Sequence, residues 1–268
     1  MDDLFFQLSS WALALIILTV LLGATAAGFA VGHATRHHAT TLAEPFAVLQ
    51  GALLGVVALV LAFGLSLAVG RYEDRRATMV SEANAIGTTY LRAQTLDEPV
   101  RSASLTLLRR YADSSIRLSA SVPDSASARR AARDGRHIQR ELWGFAGRAL
   151  AEAPQASAPR LYVESLNEMI DLQTKQITGR QNRVPSAVLL LEVIGAVVAL
   201  GLLAAHLAFM GRGGLAVVLA ATLIALLLLV TFDLDRPTRG VITVPDKPLV
   251  DARAEMASPP AASGAEDP

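Results

Sequence analysis

Four long apolar runs decide what this chain can fold into. The first, Trp11 to Gly32, carries no charge over its whole length. At 1.5 Å per residue, about 20 such residues cross a hydrocarbon core roughly 30 Å thick. The others run from about Pro45 to Val69, Pro185 to Met210 and Leu215 to Phe232. None shows the ten-residue apolar/polar alternation of a membrane-spanning strand, which excludes a β-barrel. The expected fold is an all-α integral membrane protein with four transmembrane helices and a cytosolic helical bundle inserted between spans 2 and 3. Ala24-Thr25-Ala26 resembles a small-residue cleavage site, so a secretory signal is the alternative for the first run. Against it stand the acidic Asp2 and Asp3 and the continuation past Ala26 to full span length.

Composition agrees. Of 268 residues, 52% are hydrophobic and 18% charged, where a soluble domain carries about 25% charged residues. Cysteine is absent, which removes disulfides, thiolate chemistry and Cys-based metal sites. The basic residues are almost all Arg, with Lys only at 175 and 247, and with the Ala and Leu usage this points to a GC-rich bacterial genome. A net charge of zero conceals an asymmetry. From Arg71 to Val184 there are 18 basic and 13 acidic side chains, about +5, and the rest of the chain is about −5.

With four spans, both termini and the long insert share one side. Its flanks carry Arg71, Arg75, Arg76, Arg180, Arg183, Arg236, Arg239 and Lys247, against Arg36 and Arg212 in the opposite loops. The positive-inside rule then makes that side cytoplasmic, in a bacterial inner membrane. The expected organisation is an N-terminal transmembrane pair (1–70), the cytosolic bundle (71–184), a C-terminal transmembrane pair (185–232), a juxtamembrane segment (233–250) and a disordered tail (251–268), the last from its low-complexity composition. Within the insert, residues 71–93 lack proline, so the second span should leave the membrane as one rod. Pro99 restarts a helix with Val100, Ser104, Leu107, Leu108, Tyr111, Ser115 and Leu118 on one face. A third helix is expected over 125–152. After a Pro/Ala/Ser break at 154–159, a fourth sets Leu166, Met169, Ile170, Gln173 and Ile177 on its apolar face.

The second span carries two stripes. Gly51, Gly55, Ala58, Ala62 and Ser66 form a small-residue stripe suited to close helix packing. Leu59, Phe63 and Leu67, each four residues apart, stack bulky apolar side chains, as the wall of a hydrophobic constriction would or as a lipid-facing or core-facing row would. In the third span Glu192 lies about seven residues past Pro185. An ionisable group there is a functional candidate by default, with a Glu neutral and bonded to a neighbouring helix as the structural alternative. Mixed charges cluster at two span ends: Arg71, Glu73, Asp74, Arg75 and Arg76, and Asp233, Asp235 and Arg236. They can pair structurally or form an ion-attracting mouth. His33, His37 and His38 have only partial metal-ligand spacing in a short loop, and read as exposed polar residues; no metal site is expected. The sequence has no phosphate-binding glycine loop, HExxH or GxSxG, so no catalytic residues, cofactor or enzymatic activity are expected.

Three segments, QGALLGVVALVLAFGLSLAVGRYEDRRATMVSEANAIGTTYLRA (50–93), LNEMIDLQTKQITGRQNRVP (166–185) and DLDRPTRGVITVPDKPL (233–249), resemble the bestrophin-like family of bacterial four-span membrane proteins, a domain of unknown function. The resemblance covers about residues 45 to 250. A remoter one is to true bestrophins, which form pentamers around a central anion-passing pore. Their second span lines the pore with a neck of bulky apolar residues spaced by four, then continues into a cytosolic aromatic-and-Arg run. Leu59, Phe63 and Leu67 match that neck, and Arg71, Tyr72, Arg75 and Arg76 approximate the run. The Trp of that run is missing, and Asp233 and Asp235 alone do not make the acidic calcium clasp of the animal channels. The resemblance implies a ring-shaped homo-oligomer, with five subunits as in the true channels, that conducts inorganic or small organic anions through the bilayer and binds no nucleic acid. The alternative is a non-conducting sensor or scaffold. Its basic bundle would bind a partner, nucleotide or anionic headgroups, and its Gly51/Gly55 stripe would dimerise. A membrane-embedded enzyme would need Glu192 or His206 for turnover.

Overall fold

In the computed structural model, residues 10–35, 39–211, 214–236, 238 and 240–258 are described, and among them all regular structure is helical. In chain order the helices are α1 (Ser10–Ala34), α2 (Ala39–Ala93), α3 (Val100–Ala120), α4 (Ala126–Glu152), α5 (Ser157–Gln181), α6 (Ser186–Phe209), α7 (Gly214–Leu234) and α8 (Lys247–Glu255). Four are long and apolar enough to cross a membrane: α1, α2, α6 and α7. The 55-residue α2 is the rod expected from the proline-free sequence after the second span. The described residues form two compact units, one within 1–72 and 183–243, the other within 73–182 and 244–268.

The first unit holds the four spans. Leu13, Ile17 and Leu21 of α1, Val57, Leu61 and Ala68 of α2, Ala196, Ala199 and Leu200 of α6, and Ala221, Ala225 and Leu228 of α7 share one apolar core. In lipid no hydrophobic drive separates helix from solvent, so close packing through small residues has to supply the contact. That contact is made at Gly28 and Gly32 of α1. A Cβ at Gly28 would meet the Gly201 carbonyl oxygen of α6, and one at Gly32 the Ala205 carbonyl oxygen. The stripe expected to pack, Gly51, Gly55, Ala58, Ala62 and Ser66, instead lies exposed on the single chain, and nothing lies within 4 Å of a Cβ built at Gly51 or Gly55. Within this chain α2 packs through Val57, Leu61, Gly64 and Ala68. The reason is local: α6 offers Gly195 to Val57, at 3.2 Å from a Cβ built there, and Glu192 to Gly64.

The second unit is a helical bundle with its own core. Ile86 and Tyr90 of α2, Leu108 and Tyr111 of α3, Ile138 and Leu142 of α4, and Tyr162, Leu166 and Met169 of α5 are all buried in it. The face expected on α3 is buried from Val100 to Leu118. Ser125 caps α4, accepting the Ala128 N–H at 3.1 Å, which satisfies one of the orphan donors of the first turn.

The disordered tail expected over 251–268 is overturned for its first part. Residues 247–255 form α8, and Leu249 and Met256 are buried in the bundle core. The Tyr90 hydroxyl donates to the Met256 carbonyl at 3.0 Å and accepts from Arg109 Nη2 at 2.7 Å. Arg109 Nε reaches the same carbonyl at 3.1 Å, and Arg253 pairs with Asp113 at 2.7 Å. A short polar sequence became helix where α2 and α3 supplied partners for the Met256 carbonyl at its end, information that low complexity hides. Residues 259–268 lie outside those described.

Candidate functional site

Helix α2 carries three stripes in its membrane-spanning part. At 100° per residue they are separated by roughly 120° around the helix. Val57, Leu61, Gly64 and Ala68 form the one buried within the chain. The small-residue stripe is exposed, and so are Leu59 (56%), Phe63 (62%) and Leu67 (45%). Two of the three faces therefore have no occupant inside the single chain.

Behind the buried stripe lies Glu192 of α6. It is fully buried, and among the described residues neither carboxyl oxygen has a hydrogen-bond partner. Its carboxyl fills the position that a side chain on Gly64 would take. The sequence marks it as an ionisable residue inside a span; its seat against Gly64 needs the fold.

The expected charged mouth divides. Asp233 Oδ2 accepts the backbone N–H groups of Val241 (2.8 Å) and Ile242 (2.7 Å), tying down the chain after α7. Gly240 has φ +140°, and a Cβ there would run into the Asp233 carboxylate, so this turn requires glycine. Asp235 is buried and accepts the Val184 N–H at 2.8 Å, tying the entry of α6 to the exit of α7. Arg236 is buried as well. Asp233 and Asp235 thus each hold backbone segments together. On the α2 side, Arg75 is buried, Arg71 is half-buried, and Glu73 and Arg76 form an exposed pair at 3.7 Å. Such a pair contributes little to stability. Among the described residues no three His, Asp or Glu side chains come together as metal ligands, and His37 and His38 lie outside those residues.

Sequence reasoning missed a polar cluster inside the bundle. Glu82 of α2 is fully buried, beside the apolar Met79, Ala83 and Ile86. Burial pushes its carboxyl up to about 7, against the Ser115 hydroxyl and the Arg180 guanidinium, which favour the charged form. Arg180 of α5 donates through Nη1 to the Leu118 carbonyl at 2.6 Å and through Nη2 to the Ser121 carbonyl. Its burial pulls it down to about 10, opposed by Glu82 and Asp124. Burial, then Glu82, raises the Tyr111 hydroxyl well above the phenolic range. Gln139 of α4 donates to Gln173 Oε1 (2.8 Å) and to the Tyr111 hydroxyl (3.3 Å). Gly135 admits Gln173, whose Nε2 would stand 2.6 Å from a Cβ there. The overlooked signal was periodicity. Glu82 occupies an apolar register position of α2, and Met169, Gln173, Gln176 and Arg180 recur on one face of α5.

A family model for the bestrophin-like domain matches residues 14–249 of the chain. The chain belongs to the bestrophin-like family. No curated protein matches it. Solved structures similar to it include variants of a bacterial bestrophin homologue from Klebsiella pneumoniae. One has a TM-score of 0.67 at 15% identity, covering 91% of this chain and 99% of that one. Another has a TM-score of 0.64 at 17% identity, covering 89% and 99%. A variant described only as a membrane protein has a TM-score of 0.66 at 16% identity, covering 89% and 99%. At such identities the likeness is one of fold: a bestrophin-like membrane protein with four apolar helices and a helical bundle.

Proposed function

We propose that this bestrophin-like chain is one subunit of a ring-shaped homo-oligomeric ion channel that passes anions, with five subunits as in true bestrophins. The observation that carries the reading is the division of α2 into three stripes. One packs inside the chain. The small-residue stripe suits the neighbouring subunit, where backbones can approach closely. Leu59, Phe63 and Leu67 then face the axis as a neck that gates by dewetting. The excess of Arg at the span ends on the bundle side makes that side cytoplasmic, in the bacterial inner membrane. The bilayer and further copies of this chain are the partners this reading requires, with no enzymatic step and no nucleic acid.

The absence of cysteine makes a direct test available. Single-cysteine variants at 59, 63 and 67, reconstituted in liposomes, should lose current when a water-soluble thiol reagent is added. A variant at Ala58, exposed on the single chain but on the small-residue stripe assigned to the neighbouring subunit, should not. Equal insensitivity at all four positions would take the neck away from this stripe.

A further inference from the structure

The bundle has a second feature, independent of the channel reading. Between the start of α4 and the end of α5 is a cleft of about 240 Å³. Arg129, Arg133 and Arg136 of α4 stand along one side of it, and Arg180 of α5 closes the other. Its floor is apolar: Leu118, Ala128, Ala132 and Ile177 form a small hydrophobic cluster apart from the main bundle core.

The charges in this cleft are unbalanced. Like charges at i,i+4 and i,i+3 on one helix repel, and Arg129, Arg133 and Arg136 have that spacing. Among the described residues no carboxylate pairs with Arg133 or Arg136. Arg129 donates to the Asp124 carbonyl, and Arg180, 8% exposed, is held on the Leu118 and Ser121 carbonyls. The lone acid on the rim, Asp124, has φ +59° and accepts from Gln181 Nε2 at 3.1 Å. Four guanidinium groups therefore line the cleft with one carboxylate on its rim, which is already bonded; Glu82 of the bundle core acts on Arg180 alone of the four. The N-terminal end of α4 adds the positive end of its helix dipole on the same side.

Guanidinium forks match phosphate oxygens in bidentate geometry. The volume is below the about 300–1,000 Å³ of pockets for drug-sized ligands, which suits a phosphate with a small organic part. We propose that this cleft binds a soluble phosphate monoester, its phosphate held by Arg133 and Arg136 and its organic part resting over Leu118 and Ile177. Arg180, fixed by the two carbonyls, forms the preorganised wall of the site, while the exposed Arg133 and Arg136 close on the ligand.

The test is calorimetric titration of the purified full chain in detergent with glycerol 3-phosphate, AMP and inorganic sulfate. One saturable site per chain is expected for at least one of the two esters, weaker for sulfate. R133Q and R136Q, at exposed positions, should each weaken binding about tenfold, the loss of one charge-assisted contact. R130Q, an equal charge change on the same helix outside the cleft, should leave it unchanged, and the melting temperatures of all three variants should match wild type. No saturable binding of either ester would overturn the proposal. So would a loss in R130Q equal to that in R133Q, which would reduce the effect to the general attraction of a basic helix. Binding only when the chain sits in phosphatidylglycerol vesicles, sensitive to R133Q and R136Q, would overturn the soluble ligand in favour of a lipid headgroup. Flux measurements play no part in these outcomes, so the channel reading can fail while this one stands.

Discussion

Glu192 of α6 seats its carboxyl where a side chain on Gly64 of α2 would begin. Neither residue explains the other in sequence, because 128 positions separate them. In the folded spans the absence of a Cβ at 64 is what lets a buried, ionisable group lie against the back of the helix whose outer face carries Leu59, Phe63 and Leu67.

Gly64→Ala should therefore destabilise the chain by about 1–3 kcal/mol, the range for overpacking a filled interior. Glu192→Ala in the same chain should recover most of that loss, because the two changes share one space and cannot be additive. Thermal unfolding in detergent of the two single variants and the double variant measures the coupling. Additive losses would show that the two sites do not share this space.

The two glycine pairs of the membrane unit should behave differently. Gly28→Ala drives a Cβ into the Gly201 carbonyl, backbone that cannot rotate aside, and should lower the melting temperature of the subunit. Gly55→Leu meets open space within the chain and should leave the subunit folded while reducing the oligomer. Melting curves read the first effect, and mass measurement of the detergent complex reads the second. An intact oligomer in Gly55→Leu would remove the small stripe from the subunit contact.

Glu82 makes the bundle sensitive to pH. Its folded-state pKa of about 7 stands above the ordinary 4.5, so the folded state binds more protons across that interval. The contribution to stability is full below about 4.5, falls as pH rises towards 7, and is lost above it. Over the whole window this group accounts for about 3 kcal/mol at most. Denaturation of the full chain between pH 4.5 and 8 should show stability declining with pH, and Glu82→Gln should flatten that decline. An unchanged slope in Glu82→Gln would assign the effect to another group.

The C-terminal helix is held by a small polar set. Tyr90→Phe removes the hydroxyl that joins the Met256 carbonyl to Arg109, a loss of about 1–2 kcal/mol in local stability. Hydrogen exchange of amides 247–256 should speed up in Tyr90→Phe while amides 138–146 of α4 keep their protection. Uniform acceleration across the bundle would mean that α8 does not open separately.

Sequence legibility followed the physics of each element. The four spans and the unbroken α2 were readable, because bilayer crossing and helix continuity are written in local hydropathy and in the absence of proline. The buried face of α3 was readable from its 3.6-residue period. The choice between Gly28/Gly32 and Gly51/Gly55 was not: both pairs have the same spacing, and only the backbone of α6 decides which one it approaches. Glu82 and Arg180 share a register with buried neighbours on their own helices, but that they come close to each other is a property of the helices meeting. For Asp233 and Asp235 the charge was visible, but its use as a backbone clamp depends on Gly240 and Val184, which the fold brings near.

The most direct test of the channel reading is current through purified, reconstituted protein under an asymmetric chloride gradient. A protein-dependent current should reverse near the chloride equilibrium potential, and Phe63→Ala should raise its amplitude by widening and wetting the neck. A folded, inserted oligomer that passes no current, or one whose current ignores the chloride gradient, would contradict the account.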